Sequence, residues 1–190
     1  MDADRRVAAL ILAAGESRRF GSPKQLALLE GRTILEHVLE VASVARLAPI
    51  VAIVPVWLTR PTTLGDPALR WVRNPYPERG MSYSLRLGLT ALHDETSAAV
   101  ILLGDQPRVA AETIATLLAA RGGRPIVATE AGGVLAPPVL IERSHFELAA
   151  ELSGDAGLRD LLRGSPDLVR TVALPAHATD VDTPRDLDRV

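Results

Sequence analysis

With 190 residues the chain is long enough for one domain that buries about 70% of its unfolded surface, and a 47% hydrophobic share, mostly Ala, Leu and Val, excludes a disordered chain. The formal charge is 21 − 23 = −2, with no basic block longer than a triplet, which argues against a nucleic-acid or membrane surface. Cysteine is absent, so a disulfide framework, a thiolate zinc site and a catalytic thiol are excluded, and a reducing, cytoplasmic setting is expected.

Met1–Arg6 leads into the apolar run Val7–Ala14. Basic residues before a short apolar stretch have the outline of a signal peptide, but the run is only eight residues long and ends in Gly15-Glu16-Ser17-Arg18-Arg19. It reads as a first buried strand. The strand runs out through Leu12-Ala13-Ala14-Gly15 toward Pro23-Lys24, a small-residue turn at the carboxyl end of a parallel strand. Such a turn lets backbone N–H groups approach an anion, and Arg18, Arg19 and Lys24 add positive charge beside it. The spacing is neither a P-loop nor the dinucleotide Gly-x-Gly-x-x-Gly fingerprint, so the expectation is a phosphate-binding loop of another type.

Thr33–Ala45 follows as an amphipathic helix with Ile34, Val38, Val41 and Ala45 on one stripe. Ile50–Val56 is a second buried strand, and Trp71-Val72-Arg73 a weaker one. The Pro/Gly loop Asn74–Gly80 runs into a helix over Met81–His93; Ser82 and Ser84 can cap that helix or offer hydroxyls to a base or ribose. Strand Ala98–Leu103 ends in Gly104-Asp105-Gln106-Pro107. There Asp105 can cap the next helix or, as a hard oxygen donor at the ligand-binding edge, hold Mg²⁺.

A helix over Ala111–Ala120 and a strand at Pro125–Thr129 continue the alternation, which implies a parallel α/β sheet with right-handed crossovers. Ala131–Ile141 and Ser153–Pro166 break the rhythm with Gly, Pro and charges and read as an insertion flanking a site; Asp155 within the second is a natural N-cap. Leu168–Leu174 is a further strand and Asp182–Arg189 a short closing helix, capped by Asp182 or Thr183 with Pro184 near its first position. Asp182, ahead of Asp180, is placed to be a second metal ligand. The histidines His37, His93, His145 and His177 are scattered without metal-ligand spacing, and nothing resembles a Ser-His-Asp system. No window reaches the roughly 18 uninterrupted apolar residues of a membrane span.

Five motifs in order along the chain then resemble one family. They are Leu12-Ala13-Ala14-Gly15 through Pro23-Lys24, Gly80-Met81-Ser82-Tyr83-Ser84-Leu85-Arg86 with Gly88-Leu89, Gly104-Asp105-Gln106-Pro107, Gly154-Asp155-x-Gly157-x-Arg159, and Asp182-Thr183-Pro184-x-Asp186-Leu187. Together they resemble nucleotidyltransferases of the molybdenum cofactor guanylyl- and cytidylyltransferase type, the cytidylyltransferase branch most closely. The resemblance implies a single-domain, Rossmann-like three-layer α/β sandwich over residues 1–190, with the mostly parallel sheet of nucleotide-diphospho-sugar transferases.

It also implies site roles. Gly15, Arg19 and Lys24 would hold the triphosphate, with Arg19 matching the recurring arginine better than Arg18. Asp105 would bind Mg²⁺ with Asp182, and Leu12, Ala13, Ala14, Ser82 and Ser84 would face the base and ribose. Pro138, Asp155 and Arg159 would lie on the acceptor side. Relatives carry a Gly-His-Pro-like turn where this chain reads Ala136-Pro137-Pro138, a departure that bears on the acceptor. The implied reaction moves CMP from CTP to molybdopterin cofactor and releases pyrophosphate, with transient contact to a molybdoenzyme and no nucleic-acid or membrane partner. The choice of CTP rests on Ala14, where guanine-using relatives tend to carry a second glycine. GTP or ATP, a sugar or polyol phosphate acceptor, and a non-catalytic cofactor-delivery role stay open.

Overall fold

The computed structural model describes residues 6–60, 69–152, 157–176 and 178–190. The run Val7–Leu12 forms β1, followed by a small hairpin of β2 (Leu28–Leu29) and β3 (Arg32–Thr33) and by helix α1 (Ile34–Val44). Thr33 starts α1 with a capping box: its hydroxyl accepts from the Glu36 N–H at 3.2 Å, while the Glu36 carboxylate accepts from the Thr33 N–H at 2.8 Å. The chain continues through β4 (Ile50–Pro55), β5 (Leu69–Asn74), α2 (Gly80–Thr90), β6 (Ala98–Leu103), α3 (Ala111–Ala119) and β7 (Ile126–Ala131). β8 (Val134–Glu142), α4 (Phe146–Ala150), α5 (Leu158–Gly164) and β9 (Val169–Ala173) complete it.

Seven strands form one sheet in the order β5-β4-β1-β6-β8-β7-β9. All run the same way except β8, which is antiparallel to both of its neighbours. β1, β4 and β6 are buried on both faces, and the period of two sorts their side chains into two cores. Ala9, Ile11 and Ala13 face one cluster with Leu35 and Val38 of α1 and Ile114 and Leu117 of α3. Ala8, Leu10, Leu12 and Ala14 face the other with Leu85 and Leu89 of α2, Ala149 of α4 and Leu158, Leu161 and Leu162 of α5. The result is the three-layer α/β sandwich that the resemblance implies, built on the α/β sheet expected from the alternation of runs.

Three expectations change. Ala131–Ile141 is not an insertion: most of it is β8, the strand that joins the β5-β4-β1-β6 half to the β7-β9 edge. Its two prolines concealed it, because proline lacks the N–H that a central strand donates. The register explains how they fit: Ala128 pairs with Val139 and Thr129 with Ala136, so Pro137 and Pro138 fall in the bulge that the ladder skips. The described part of Ser153–Pro166 is not an insertion either, because it carries α5, whose Leu158, Leu161 and Leu162 are buried in the second core. The closing segment is a 3₁₀ helix over Pro184–Arg189, preceded by Thr183 rather than Asp182.

Sheet order reverses beside β1, with β4 and β5 on one side and β6 on the other. In such sheets the crevice outside the strand ends at the switch point receives ligands. Leu12 and Leu103 end the two strands there and pair across the ladder, and the Gly104 N–H bonds to the Leu12 carbonyl at 2.9 Å. No helix among the described residues is long and apolar enough to cross a membrane.

Candidate nucleotide and metal site

The loop leaving β1 is held by one buried amide. Gln25, 2% exposed, donates through Nε2 to the carbonyls of Ala13 at 2.9 Å and Gly15 at 2.8 Å. The Ser17 hydroxyl reaches Gln25 Oε1 at 3.3 Å and accepts from the Lys24 N–H at 3.1 Å. The loop therefore closes on itself through Ser17 and Gln25, and Lys24 is aimed back across the strand ends. Gln25 was missed from sequence. Its signal was present, a polar residue directly after Pro23-Lys24, but a lone glutamine has no chemistry of its own to draw attention.

A cavity of about 330 Å³ opens over these strand ends. It is lined by Leu12, Ala13, Ala14, Gly15, Lys24 and Gln25, by Gly80, Met81 and Ser84 of α2, and by Leu103, Gly104 and Asp105. Ser84 is fixed by the buried Asn74, whose Nδ2 donates to its hydroxyl at 3.0 Å. Ser82 is buried and lines none of the cavities at the site. Neither serine caps α2: Arg79 precedes the helix and no side chain caps it. The first turn of that helix meets the cavity at Gly80 and Met81, where the helix dipole favours negative charge.

An adjoining space of about 370 Å³ carries Arg18, Arg19, Lys24 and Asp182 around Gly15. Here the charges meet. Lys24 Nζ lies 2.7 Å from Asp105 Oδ2 and 3.3 Å from Asp182 Oδ1, and Arg19 Nη1 lies 3.1 Å from Asp182 Oδ2. Burial by itself lowers the Lys24 pKa, but the charges and hydrogen bonds of Asp105 and Asp182 outweigh it and hold the ammonium above its ordinary range. Arg18 turns away to Glu16 at 2.6 Å.

Asp182 arrives from a distant part of the sequence because its segment is tied to the β6 loop. The Val181 N–H bonds to the Asp105 carbonyl at 2.9 Å, and buried Val181 packs with Phe20 and Ile34. Gln106 Nε2 donates to Asp180 Oδ1 at 2.7 Å, and the Asp186 carboxylate accepts from the N–H groups of Asp182 and Thr183 at 3.1 and 2.7 Å. Asp180 as a residue is exposed, yet partial desolvation pushes its carboxyl above the usual carboxylate range, opposed by the Gln106 bond and aided by the charges of Asp105 and Asp182.

The donor set suits a hard divalent cation. Asp105 Oδ1 is buried without a hydrogen-bond partner, which is costly unless something fills its coordination. No group of three or more metal-binding side chains stands together among the described residues. Two carboxylates are enough for a cation that completes its shell with water and substrate phosphate, as Mg²⁺ does.

The acceptor-side expectations are not gathered here. Pro138 borders a separate cavity of about 460 Å³ with Pro137 and Arg108, which shares no lining residue with the 330 Å³ space. Arg159 is exposed on α5, and Asp155 lies outside the described residues.

Comparison with known proteins adds to this geometry. The model of the MobA-like NTP transferase domain matches residues 9–172. The chain is 28% identical to the purine catabolism protein PucB of Bacillus subtilis, covering 95% of this chain and 94% of that one. It is 30% identical to nicotine blue oxidoreductase of Paenarthrobacter nicotinovorans, covering 97% and 96%. Rv0371c of Mycobacterium tuberculosis H37Rv, solved in complex with manganese, superposes with a TM-score of 0.79 at 26% identity, covering 97% and 96%.

Proposed function

The chain belongs to the MobA-like NTP transferase family and is a nucleotidyltransferase, and from that premise we propose that it transfers CMP from CTP to the phosphate of a molybdopterin cofactor. The observation that carries the reading is the convergence of Lys24, Arg19, Asp105 and Asp182 beside the Gly15 loop. A catalyst of phosphoryl transfer needs positioned charge more than covalent chemistry.

The residues divide the work by place. Leu12, Ala13, Ala14 and Ser84 line the space for base and ribose, and the methyl group of Ala14 leaves less room there for a purine. One methyl decides only about 1–3 kcal/mol of selectivity. Gly15 lets the backbone approach the triphosphate, and Arg19 and Lys24 hold the β- and γ-phosphates that leave as pyrophosphate. Asp105 and Asp182 would hold Mg²⁺, and a related structure was solved with manganese. When bound, that cation neutralises charge developing around the α-phosphate. An acceptor phosphate oxygen attacks the α-phosphorus in line as the bond to pyrophosphate breaks. The acceptor is already ionised at neutral pH, so no side chain has to remove a proton from it.

The test is pyrophosphate release with Mg²⁺, molybdenum-loaded molybdopterin and each of CTP, GTP, ATP and UTP. Release with CTP alone is expected. Asp105→Ala should lower turnover by roughly 10²–10³, the scale of a lost electrostatic group in a transferase site. Near-normal turnover of Asp105→Ala at saturating Mg²⁺ would discard the metal assignment. Release with another NTP would keep the mechanism and discard the argument from Ala14. Binding of an NTP without release would move the reading to a sugar or polyol phosphate acceptor, or to a cofactor-delivery protein. Reduction of nicotine blue without pyrophosphate release would favour the redox activity that one relative is named for.

A further inference from the structure

Resting on the transferase reading above, we propose that Gln106 is a positioning residue, whose side-chain amide holds Asp180 so that the Asp180-Val181-Asp182 segment presents Asp182 to the cation site opposite Asp105. Gln106 is 2% exposed and its Nε2 donates to Asp180 Oδ1 at 2.7 Å, while its Oε1 has no hydrogen-bond partner. A buried amide with an unmet carbonyl is a poor device for stability, since an apolar side chain of similar shape would fill the space without that cost. What the amide does achieve is a fixed distance between two loops.

The segment needs such a tie. No helix or strand among the described residues holds the chain between β9 and Asp180. Val181 is anchored by its own N–H to the Asp105 carbonyl, and Asp182 by its N–H to Asp186. Gln106 supplies the anchor on the remaining side, and it does so from the residue directly after Asp105. One turn therefore carries one carboxylate of the site and sets the position of the other. The bond requires an acceptor oxygen on residue 180, which the side-chain amide of an asparagine also supplies.

The experiment measures Mn²⁺ binding to the nucleotide-free full chain by electron paramagnetic resonance, with initial rates against Mg²⁺ and melting curves alongside. Gln106→Leu is expected to weaken Mn²⁺ binding about tenfold and to raise the Mg²⁺ needed for half-maximal rate equally, with the rate at saturating Mg²⁺ and the melting temperature little changed. Asp180→Ala should match it, and Asp180→Asn should bind Mn²⁺ within about twofold of wild type because the acceptor is kept. Should Gln106→Leu fold poorly, Asp180→Ala at an exposed residue carries the same comparison. Unchanged Mn²⁺ affinity in Gln106→Leu or Asp180→Ala overturns the proposal, as does an Asp180→Asn loss as large as that of Asp180→Ala, which would make Asp180 a charge-bearing ligand. Wild-type binding abolished by Asp105→Asn, with Gln106→Leu at wild-type affinity, leaves the transferase site standing and sinks only the positioning role. A wild type that binds no Mn²⁺ with or without CTP sinks both.

Discussion

Lys24 occupies the place between two carboxylates where a divalent cation would also sit. Its ammonium bonds both Asp105 and Asp182, and the Lys24–Asp105 pair is mostly buried, with side chains only 14% and 22% exposed. The lysine is thus the counter-ion of these two carboxylates, and a cation bound between them would compete with Lys24 for them. Replacing it removes that competitor and also leaves two carboxylates facing each other. Lys24→Met should lose about 1–2 kcal/mol of stability, less than the roughly 3–5 kcal/mol of a fully buried pair. It should bind Mn²⁺ alone more tightly than wild type, and it should turn over CTP far more slowly because the triphosphate has lost its clamp. The sign with pH follows from the raised Lys24 pKa. The contribution is present below the ordinary lysine value of about 10.4 and is lost as pH rises through the raised one. The stability gap between wild type and Lys24→Met should therefore be constant through neutral pH and close only in alkali. Melting curves from pH 6 to 11 and a Mn²⁺ titration check both halves; a variant that binds Mn²⁺ more weakly would mean that Lys24 supports the cation rather than competing with it.

At the scale of elements, the site exists because β1 and β6 end side by side, and one glycine sets how closely. A Cβ built on Gly104 would stand 2.5 Å from Ala13 Cβ and 3.0 Å from Ala13 Cα. Those neighbours are the short side chain and backbone of the nucleotide loop, which have no flexible end to yield. Gly104→Ala must then push the Asp105 turn away from that loop. We expect a stability loss of about 1–3 kcal/mol and a fall in turnover at saturating Mg²⁺ and CTP, measured by urea unfolding and pyrophosphate release. A stable variant with unaltered rate would show that the two loops have more freedom than their packing implies. The same elements show what a sequence can tell. β1, β4 and β6 were legible because strands buried on both faces leave uninterrupted Val, Ile, Leu and Ala runs. Asp105 stood just past such a run and Lys24 in the loop after the first one, with charges whose chemistry is conspicuous. β8 was not legible, because a proline pair in a bulge and a proline pair in a loop look alike until the partner strand is known. Gln25 and Gln106 were not legible as parts of the site for a related reason: each acts through a carbonyl or carboxylate that only the fold brings near.

Across the whole molecule, neither hydrophobic cluster has a seam. On one face the cluster runs from Leu69 of β5 through Ala9 and Val100 to Val127 of β7 and Leu140 of β8. On the other it runs from Val51 and Ile53 of β4 to Val169 of β9, the opposite edge strand. Strand β8 joins the halves in the middle, bonded to β6 on one side and β7 on the other. Two cores that each span the sheet cannot lose one half without stripping apolar surface from the other, so the described residues should unfold as one unit. The two tryptophans make this testable. Trp57 follows β4 and Trp71 lies in β5, where its Nε1 donates to the Leu58 carbonyl at 3.0 Å, so fluorescence reports only that edge of the sheet. Far-UV circular dichroism reports all of it. The two urea curves should coincide, and amides of β7 and β8 should exchange through openings of the same free energy as those of β4. CTP with Mg²⁺ should move both curves together, because a ligand seated at the β1–β6 junction stabilises whatever unfolds with that junction. A tryptophan transition that precedes the circular dichroism, or a ligand shift confined to one probe, would divide the chain into two units and place the boundary at β8.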